Sequence, residues 1–293
     1  MHNCTILSGK EVSDHVYRNL QDRVELLFKN NIRPGLAAVL VGENPASKIY
    51  IKMKTKKFHE LGLKTETIKL SVDCSQEELI QVIKKINNDS SFHGILVQLP
   101  LPYHIDSKSV INSIVPEKDV DGFHPENAGF LSIGSPRFIP CTPKGVMRIL
   151  EYYKIELSGK HVVVLGRSNI VGRPMSILTS LKTKGANSTT TICHSGSTDI
   201  ERFTKIADIV IVALGVPNYL KKDMIKKDAI LIDVGINRVN DNSEKGYKLC
   251  GDVFWEEVIE KAKAVTPVPG GVGPMTIAML VENTVEAAEN TLK

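Results

Sequence analysis

The sequence lacks any arrangement of cysteines that would frame a disulfide scaffold or a structural metal site. Its five cysteines, Cys4, Cys74, Cys141, Cys193 and Cys250, are odd in number and far apart, with no CxxC pair and no Cys/His cluster. They read as reduced thiols, and no metal is expected. No apolar run approaches the roughly 18 residues needed to span a bilayer, and the opening MHNCTILSGKE has none of the regions of a secretory leader. A large excess of one charge is also missing. The 37 Lys and Arg residues are spread along the chain among 33 Asp and Glu, for a net charge of +4, which gives little support to nucleic-acid binding. There is no internal repeat and no low-complexity tail. The expectation is a soluble, cytoplasmic protein with neither a nucleic-acid nor a membrane partner.

What is present is an ordinary globular composition over 293 residues, 42% hydrophobic and 24% charged, long enough for two domains. Short β-branched apolar runs alternate with helical periodicity, the rhythm of strand-helix-strand units around a parallel sheet, so the fold class is α/β. The spacing predicts strands at Leu36 to Val41, Thr65 to Leu70 and Gly94 to Leu99, with helices near 10–30, 45–61 and 75–88. A stretch rich in Pro, Gly, Asp and Ser, from Pro100 to about Pro143, reads as a long functional loop. Strands restart at His161 to Leu165, Thr189 to Cys193, Asp208 to Leu214 and Ala229 to Val234. Three of these are almost wholly apolar, as in a doubly wound sheet buried on both faces. A helix starts near Val171 with Pro174 in its first turn, and a last one runs from Met275 to about Thr291.

Five segments carry chemistry. In HVVVLGRSNIVGRPM a buried strand runs into Gly166-Arg167-Ser168 and a helix near Gly172, a geometry that suits a pyrophosphate. Ser168 stands where the second glycine of G-x-G-x-x-G would be, and Gly172 lies one residue late; the same glycines also serve a plain tight turn. The next strand ends at Cys193-His194-Ser195 without the acidic residue that would bind the ribose hydroxyls of NAD, which tilts the reading toward NADP, with Arg167 and Ser195 as its phosphate partners. His194 reads as a loop residue with no role in preference to a ligand contact. On the helix at 45–61, Tyr50 and Lys54 share a face, among Lys48, Lys52, Lys56 and Lys57; solvated surface charge is the plain alternative, and this spacing is read as not choosing among the lysines. Gln98 closes the apolar run of GILVQLPLP at the strand end where ligands of open sheets collect. Asp119 and Asp121 lie in PEKDVDGF, where Asp121 suits an amino-pyrimidine edge better than a metal. Finally, TPVPGGVGPMT packs prolines and glycines into a rigid loop without bulk, fit to lie against a planar ligand.

Taken in order, LSGKEVS, GENPASKIYIKMK, GILVQLPLP, PEKDVDGFHPENAG, PCTPKG, GRSNIVGRPM, DVGIN, GDV and TPVPGGVGPMT closely resemble the bifunctional methylenetetrahydrofolate dehydrogenase/methenyltetrahydrofolate cyclohydrolase family over nearly the whole chain. The resemblance implies a catalytic, folate-binding domain from residues 1–142 and 275–293, a Rossmann-type NADP-binding domain from 143–274 with a cleft between them, and a homodimer. It also implies tetrahydrofolate derivatives as substrates: NADP-dependent oxidation of the 5,10-methylene form to the methenyl form, then hydrolysis to the 10-formyl form. Residue by residue, the catalytic lysine falls on Lys54, with Tyr50 beside it, Gln98 to orient it and Asp121 on the pterin. Coenzyme contacts fall on Gly166, Arg167, Ser168, Ser195 and Ile236. Substrate contacts fall on Tyr50, Gln98, Leu99, Asp121, Pro267, Gly270 and Gly271. After His194-Ser195 many members have a basic residue and then Thr, whereas this chain reads Gly196-Ser197-Thr198.

Overall fold

The computed structural model describes residues 4–241 and 246–292. In chain order the first half holds β1 (Thr5–Ile6), α1 (Gly9–Lys29), β2 (Gly35–Val41), α2 (Pro45–Glu60), β3 (Lys64–Leu70), α3 (Gln76–Asn88), β4 (Gly94–Val97), α4 (Ser107–Asn112), α5 (Pro125–Ser132) and α6 (Cys141–Tyr152). The second half holds β5 (His161–Leu165), α7 (Gly172–Ser180), β6 (Thr189–Cys193), α8 (Ile200–Thr204), β7 (Ile209–Val212), β8 (Ile230–Asp233), β9 (Asn237–Asn240), β10 (Tyr247–Cys250), α9 (Trp255–Val258), β11 (Ala264–Val265) and α10 (Val272–Glu289). Two compact units result: Val16–Cys141 with Ile277–Lys293, and Met1–His15 with Thr142–Thr276. No described helix is long and apolar enough to cross a membrane.

The first unit is built on a three-stranded parallel sheet in the order β3-β2-β4. Its central strand, GLAAVLV, is buried at every position, while β3, KTETIKL, lies at the edge and is only partly covered. That difference in burial is why one strand is continuously apolar and the other is not. Helix α3 starts at Ser75, whose hydroxyl accepts the Glu78 N–H at 3.1 Å, and buries Leu79, Ile83 and Ile86 along one stripe.

The second unit carries a six-stranded parallel sheet in the order β1-β11-β8-β7-β5-β6 and a separate β9-β10 hairpin. Strands β5, β7 and β8 fill the middle with Val, Ile and Leu, and the exposed, threonine-rich β6 closes one edge. Strand β5 has β6 on one side and β7 on the other, so the order of the chain reverses there. In open sheets of this kind ligands bind outside the carboxyl ends of the strands at such a reversal.

Several elements differ from expectation. The stretch from Pro100 to Pro143 is not one irregular loop: it contains α4, α5 and a 3-10 turn at Pro116–Lys118. The two helices are held by side-chain caps, Asp106 on the Lys108 and Ser109 N–H groups and His124 Nδ1 on the Glu126 N–H, and are too short to show a helical period. Strand β4 ends at Val97, two residues before the expected Leu99, although the Gln98 N–H still donates to Val39 O at 2.9 Å. The two-residue strands β1 and β11 and the β9-β10 hairpin left no readable alternation.

The side chain of Asn283 ties helix α10 to the first unit's loops. Asn283 is fully buried, and its Nδ2 donates to Val120 O at 2.8 Å and Ile139 O at 3.0 Å. Replacing it by alanine leaves two buried carbonyls without this donor, and Asn283→Ala is expected to destabilise the unit by about 2–4 kcal/mol in denaturant unfolding. A loss under about 0.5 kcal/mol, the range of an ordinary surface substitution, would show that the bonds do not hold the loop.

Candidate active site

In the first unit α2 opens on a capped turn: the Asn44 side chain accepts the Ser47 N–H at 3.1 Å, and Pro45 takes the first helical position, where a missing donor goes unused. The inward stripe that follows is Ser47, Ile51, Lys54 and Phe58, all buried. Lys54 is only 7% exposed, whereas Lys48, Lys52 and Lys56 lie on the exposed side. The register thus does choose among the lysines, contrary to the sequence reading. Lys54 alone stands three residues after Ile51 and four before Phe58, on the face that α2 must bury.

The Lys54 amine lies 3.3 Å from Gln98 Oε1, just beyond the end of β4. Gln98 Nε2 donates to Leu99 O at 2.7 Å, and this fixes the amide with its oxygen toward the amine. Tyr50, one turn before Lys54, is half-buried, and burial pushes its phenol above the ordinary range.

Asp121 is half-buried in a turn pinned from both sides. Before it, Val120 is fully buried and leaves no room for a side chain at Gly94, whose Cβ would meet it at 2.8 Å. After it, Gly122 adopts a φ of +73° with its α-carbon against the backbone of Pro140. The turn is closed by Asp119, whose carboxylate accepts the N–H groups of Phe123 (3.2 Å) and His124 (2.7 Å) and the amide of Asn127 (2.8 Å). Arg137 in turn donates to Asn127 Oδ1 at 3.0 Å. Asp119 is thus a supporting residue that the motif PEKDVDGF had not separated from its neighbour. The signal was there in principle, because the loop amides after a turn need an acceptor.

In the second unit β5 runs into Gly166, which has a φ of +117° and sits so close to β7 that a Cβ would lie 2.4 Å from Ala213 O. Gly172 begins α7 directly over that turn, where a Cβ would lie 2.1 Å from Gly166 O. The extra residue relative to the usual fingerprint is absorbed by Ser168, whose hydroxyl accepts the N–H groups of Val171 (3.1 Å) and Gly172 (3.4 Å). Arg167, Ser168, Asn169 and Ile170 are all exposed at the positive end of α7. The strand end, the glycine cradle and the helix start therefore fit a pyrophosphate. At the end of β6, His194 Nδ1 accepts the Gly196 N–H at 3.0 Å and so holds its own turn, while Ser195 is exposed with no acidic side chain at this strand end. Ile236 is exposed beyond β8.

The loop from Pro267 to Gly271 belongs to this second unit and closes on the start of α1. A Cβ at Gly9 would lie 1.8 Å from Gly271 O, and the Lys10 N–H donates to Gly270 O at 3.1 Å. Part of its glycine content therefore serves contact between two stretches of backbone. Pro269 remains exposed, and Gly270, at a φ of +105°, is half-buried. Of the expected catalytic residues, Lys54 and Gln98 are brought into direct contact. Among the described residues no group of three His, Cys, Asp or Glu is arranged to hold a metal ion.

Comparison with known proteins matches residues 7–121 to the catalytic domain of tetrahydrofolate dehydrogenase/cyclohydrolase and residues 140–292 to its NAD(P)-binding domain. The chain is 51% identical over 287 residues to the bifunctional protein FolD of Chlorobium phaeobacteroides, covering 97% of this chain and 96% of the relative. Among solved structures, the bifunctional FolD methylenetetrahydrofolate dehydrogenase/cyclohydrolase of Campylobacter jejuni is 47% identical with a TM-score of 0.92, over 98% of this chain and 99% of the other. The Trypanosoma brucei methylenetetrahydrofolate dehydrogenase-cyclohydrolase, solved with NADP and an inhibitor, is 35% identical with a TM-score of 0.95 over the full length of both chains.

The Asp119 carboxyl is pushed up to about 6, because burial outweighs the hydrogen bonds that favour its charged form. A carboxyl whose folded value exceeds its unfolded value near 3.8 stabilises the fold at low pH and loses that contribution as pH rises through about 6. The loss amounts to about 3 kcal/mol. In urea unfolding between about pH 4 and 7.5, Asp119→Asn is expected to show a shallower fall in stability than the unsubstituted chain; parallel curves would remove this carboxyl as the cause.

Proposed function

Because the chain belongs to the tetrahydrofolate dehydrogenase/cyclohydrolase family, we propose that it oxidises 5,10-methylene-tetrahydrofolate to the 5,10-methenyl form with NADP and hydrolyses the methenyl form to 10-formyl-tetrahydrofolate. The observation that carries the reading is the buried Lys54 amine held by Gln98 in a chain that also presents the Gly166 turn. A dinucleotide-binding module alone would need the second and not the first.

NADP, when bound, supplies the hydride acceptor. Gly166, Arg167 and Ser168 hold its pyrophosphate at the start of α7, with Ser195 at the end of β6 and Ile236 at the end of β8. The absence of an acidic side chain at that β6 end leaves room for the extra phosphate of NADP, and Arg167 offers it a cation. The protein's part in the oxidation is to hold the bridging methylene at near-attack distance, about 3–3.5 Å, from the acceptor.

In the hydrolysis, water adds to the cationic methenyl carbon and gives up a proton to the Lys54 amine. Cleavage of the bond from that carbon to N5 then takes a proton back to N5, leaving the formyl group on N10 and one proton released overall. Gln98 aims the amine through its fixed Oε1, and Tyr50 lines the folate beside it with Leu99. Asp121 accepts paired hydrogen bonds from the amino-pyrimidine edge of the pterin, in a turn that Asp119 holds. Pro267, Gly270 and Gly271 form a flat wall for the folate. On this reading residues 1–142 and 275–293 serve the folate, although Met1–His15 group with the second unit, and 143–274 serve the dinucleotide apart from the loop at Pro267, Gly270 and Gly271. The family resemblance also carries a homodimer, and the five free cysteines suit a reducing, cytoplasmic location.

Lys54→Met is expected to abolish methenyl-tetrahydrofolate hydrolysis, followed by the loss of methenyl absorbance, while NADP still binds in calorimetry. An undiminished hydrolysis rate would take Lys54 out of the mechanism. Asp121→Ala is expected to weaken folate binding by about 2–5 kcal/mol, as for unpairing a buried charged hydrogen bond, and an unchanged KM for the folate would refute that contact.

A further inference from the structure

The motifs DVGIN and GDV have no role in the chemistry above, apart from Ile236, yet they form one interlocked device at the centre of the second unit. Asp252 is fully buried. Its Oδ2 accepts the N–H groups of Leu214 (2.7 Å) and Gly215 (2.9 Å), and its Oδ1 accepts Asn237 Nδ2 at 2.8 Å. One carboxylate thus fixes the loop that leaves β7 and the loop that leaves β8. Asp233, at the end of β8, accepts the N–H groups of Gly235 and Asp252 on Oδ1, both at 3.0 Å, and that of Val253 on Oδ2 at 2.9 Å. The two aspartates therefore hold each other's segments.

The glycines of the motifs show that the arrangement is built. A Cβ at Gly235 would lie 2.2 Å from Asp252 Oδ1, and a Cβ at Gly251 would lie 1.8 Å from Asp233 Oδ2. Each carboxylate can enter only because the residue opposite has no side chain. Two more backbone bonds, Asn218 N–H to Gly251 O at 3.1 Å and Leu220 N–H to Asp252 O at 2.9 Å, tie the β7 loop to the same segment. The loop so fixed begins at Ala213, whose carbonyl packs against the Cα of Gly166. The other loop carries Ile236.

From this geometry we infer that Asp252, supported by Asp233, is a positioning residue for the dinucleotide: it sets the loop after β7, which packs on the Gly166 turn, and the loop after β8, which carries Ile236. The inference rests on the dehydrogenase reading and adds residues that touch no ligand. Fixed loops at strand ends bind more tightly than loops that must order on binding, because the ordering cost falls at the binding step.

The test separates cofactor positioning from general loss of structure by using the two activities. In Asp252→Ala the KM for NADP is expected to rise about tenfold or more, while the KM for methylene-tetrahydrofolate and the methenyl hydrolysis rate, assayed without dinucleotide, stay within about twofold. Asp252→Asn keeps an acceptor for Leu214 and Gly215 and is expected to recover most of the NADP affinity. Should Asp252→Ala fail to fold, Asn237→Ala releases only the β8 loop and is expected to weaken NADP binding in calorimetry about threefold or more. An unchanged NADP affinity in the variants that fold, or a parallel fall of every parameter in Asp252→Asn, overturns the inference. If the unsubstituted enzyme neither binds NADP nor oxidises methylene-tetrahydrofolate, it is the functional reading that fails.

Discussion

Irregular segments leave backbone N–H groups that no neighbouring strand or helix accepts, and in this protein buried aspartates accept them. Asp119 takes two such groups and a side-chain amide after the turn that carries Asp121. Asp252 takes two at the end of β7, and Asp233 takes three around the end of β8. A buried donor left without an acceptor costs on the order of 1–3 kcal/mol, so irregular backbone can lie this deep only where a strong acceptor is supplied. The site loops owe their fixed shape to that requirement.

Burial of these carboxylates has its own consequence. The surroundings of Asp119 and Asp233 favour the neutral form, so Asp119 is raised to about 6 and Asp233 to about 7 despite every hydrogen bond that favours charge. The fold thus accepts an electrostatic penalty near neutral pH in return for fixed loops. Glycine completes the device, since Gly235 and Gly251 each face the carboxylate of the other segment at a distance no side chain could share. Gly166 and Gly172 do the same for the turn at β5, where the backbone of one segment rests on another.

Lys54 illustrates the opposite case, a charged residue type on a face that packing demands be buried. Its neighbours along the stripe, Ile51 and Phe58, are core residues, and the helix cannot turn it outward without exposing them. Its amine is met by one amide oxygen rather than a carboxylate.

The sequence by itself determined the α/β class, the middle strands of both sheets and the long helices, because continuous burial or a sustained helical period leaves its mark on composition. The family was legible too, since long motifs such as GRSNIVGRPM and TPVPGGVGPMT do not arise from periodicity alone. The spacing is read as not choosing among the lysines of α2, and it is the burial of the Ile51, Lys54 and Phe58 face that separates Lys54 from them. Tertiary structure alone decided the rest. Two-residue strands such as β1 and β11 are too short to carry a pattern, and α4 and α5 are held by caps rather than by a hydrophobic stripe. The pairing of Asp233 with Gly251 and of Asp252 with Gly235 joins segments nearly twenty residues apart, and only the folded chain reveals which amides each carboxylate must satisfy.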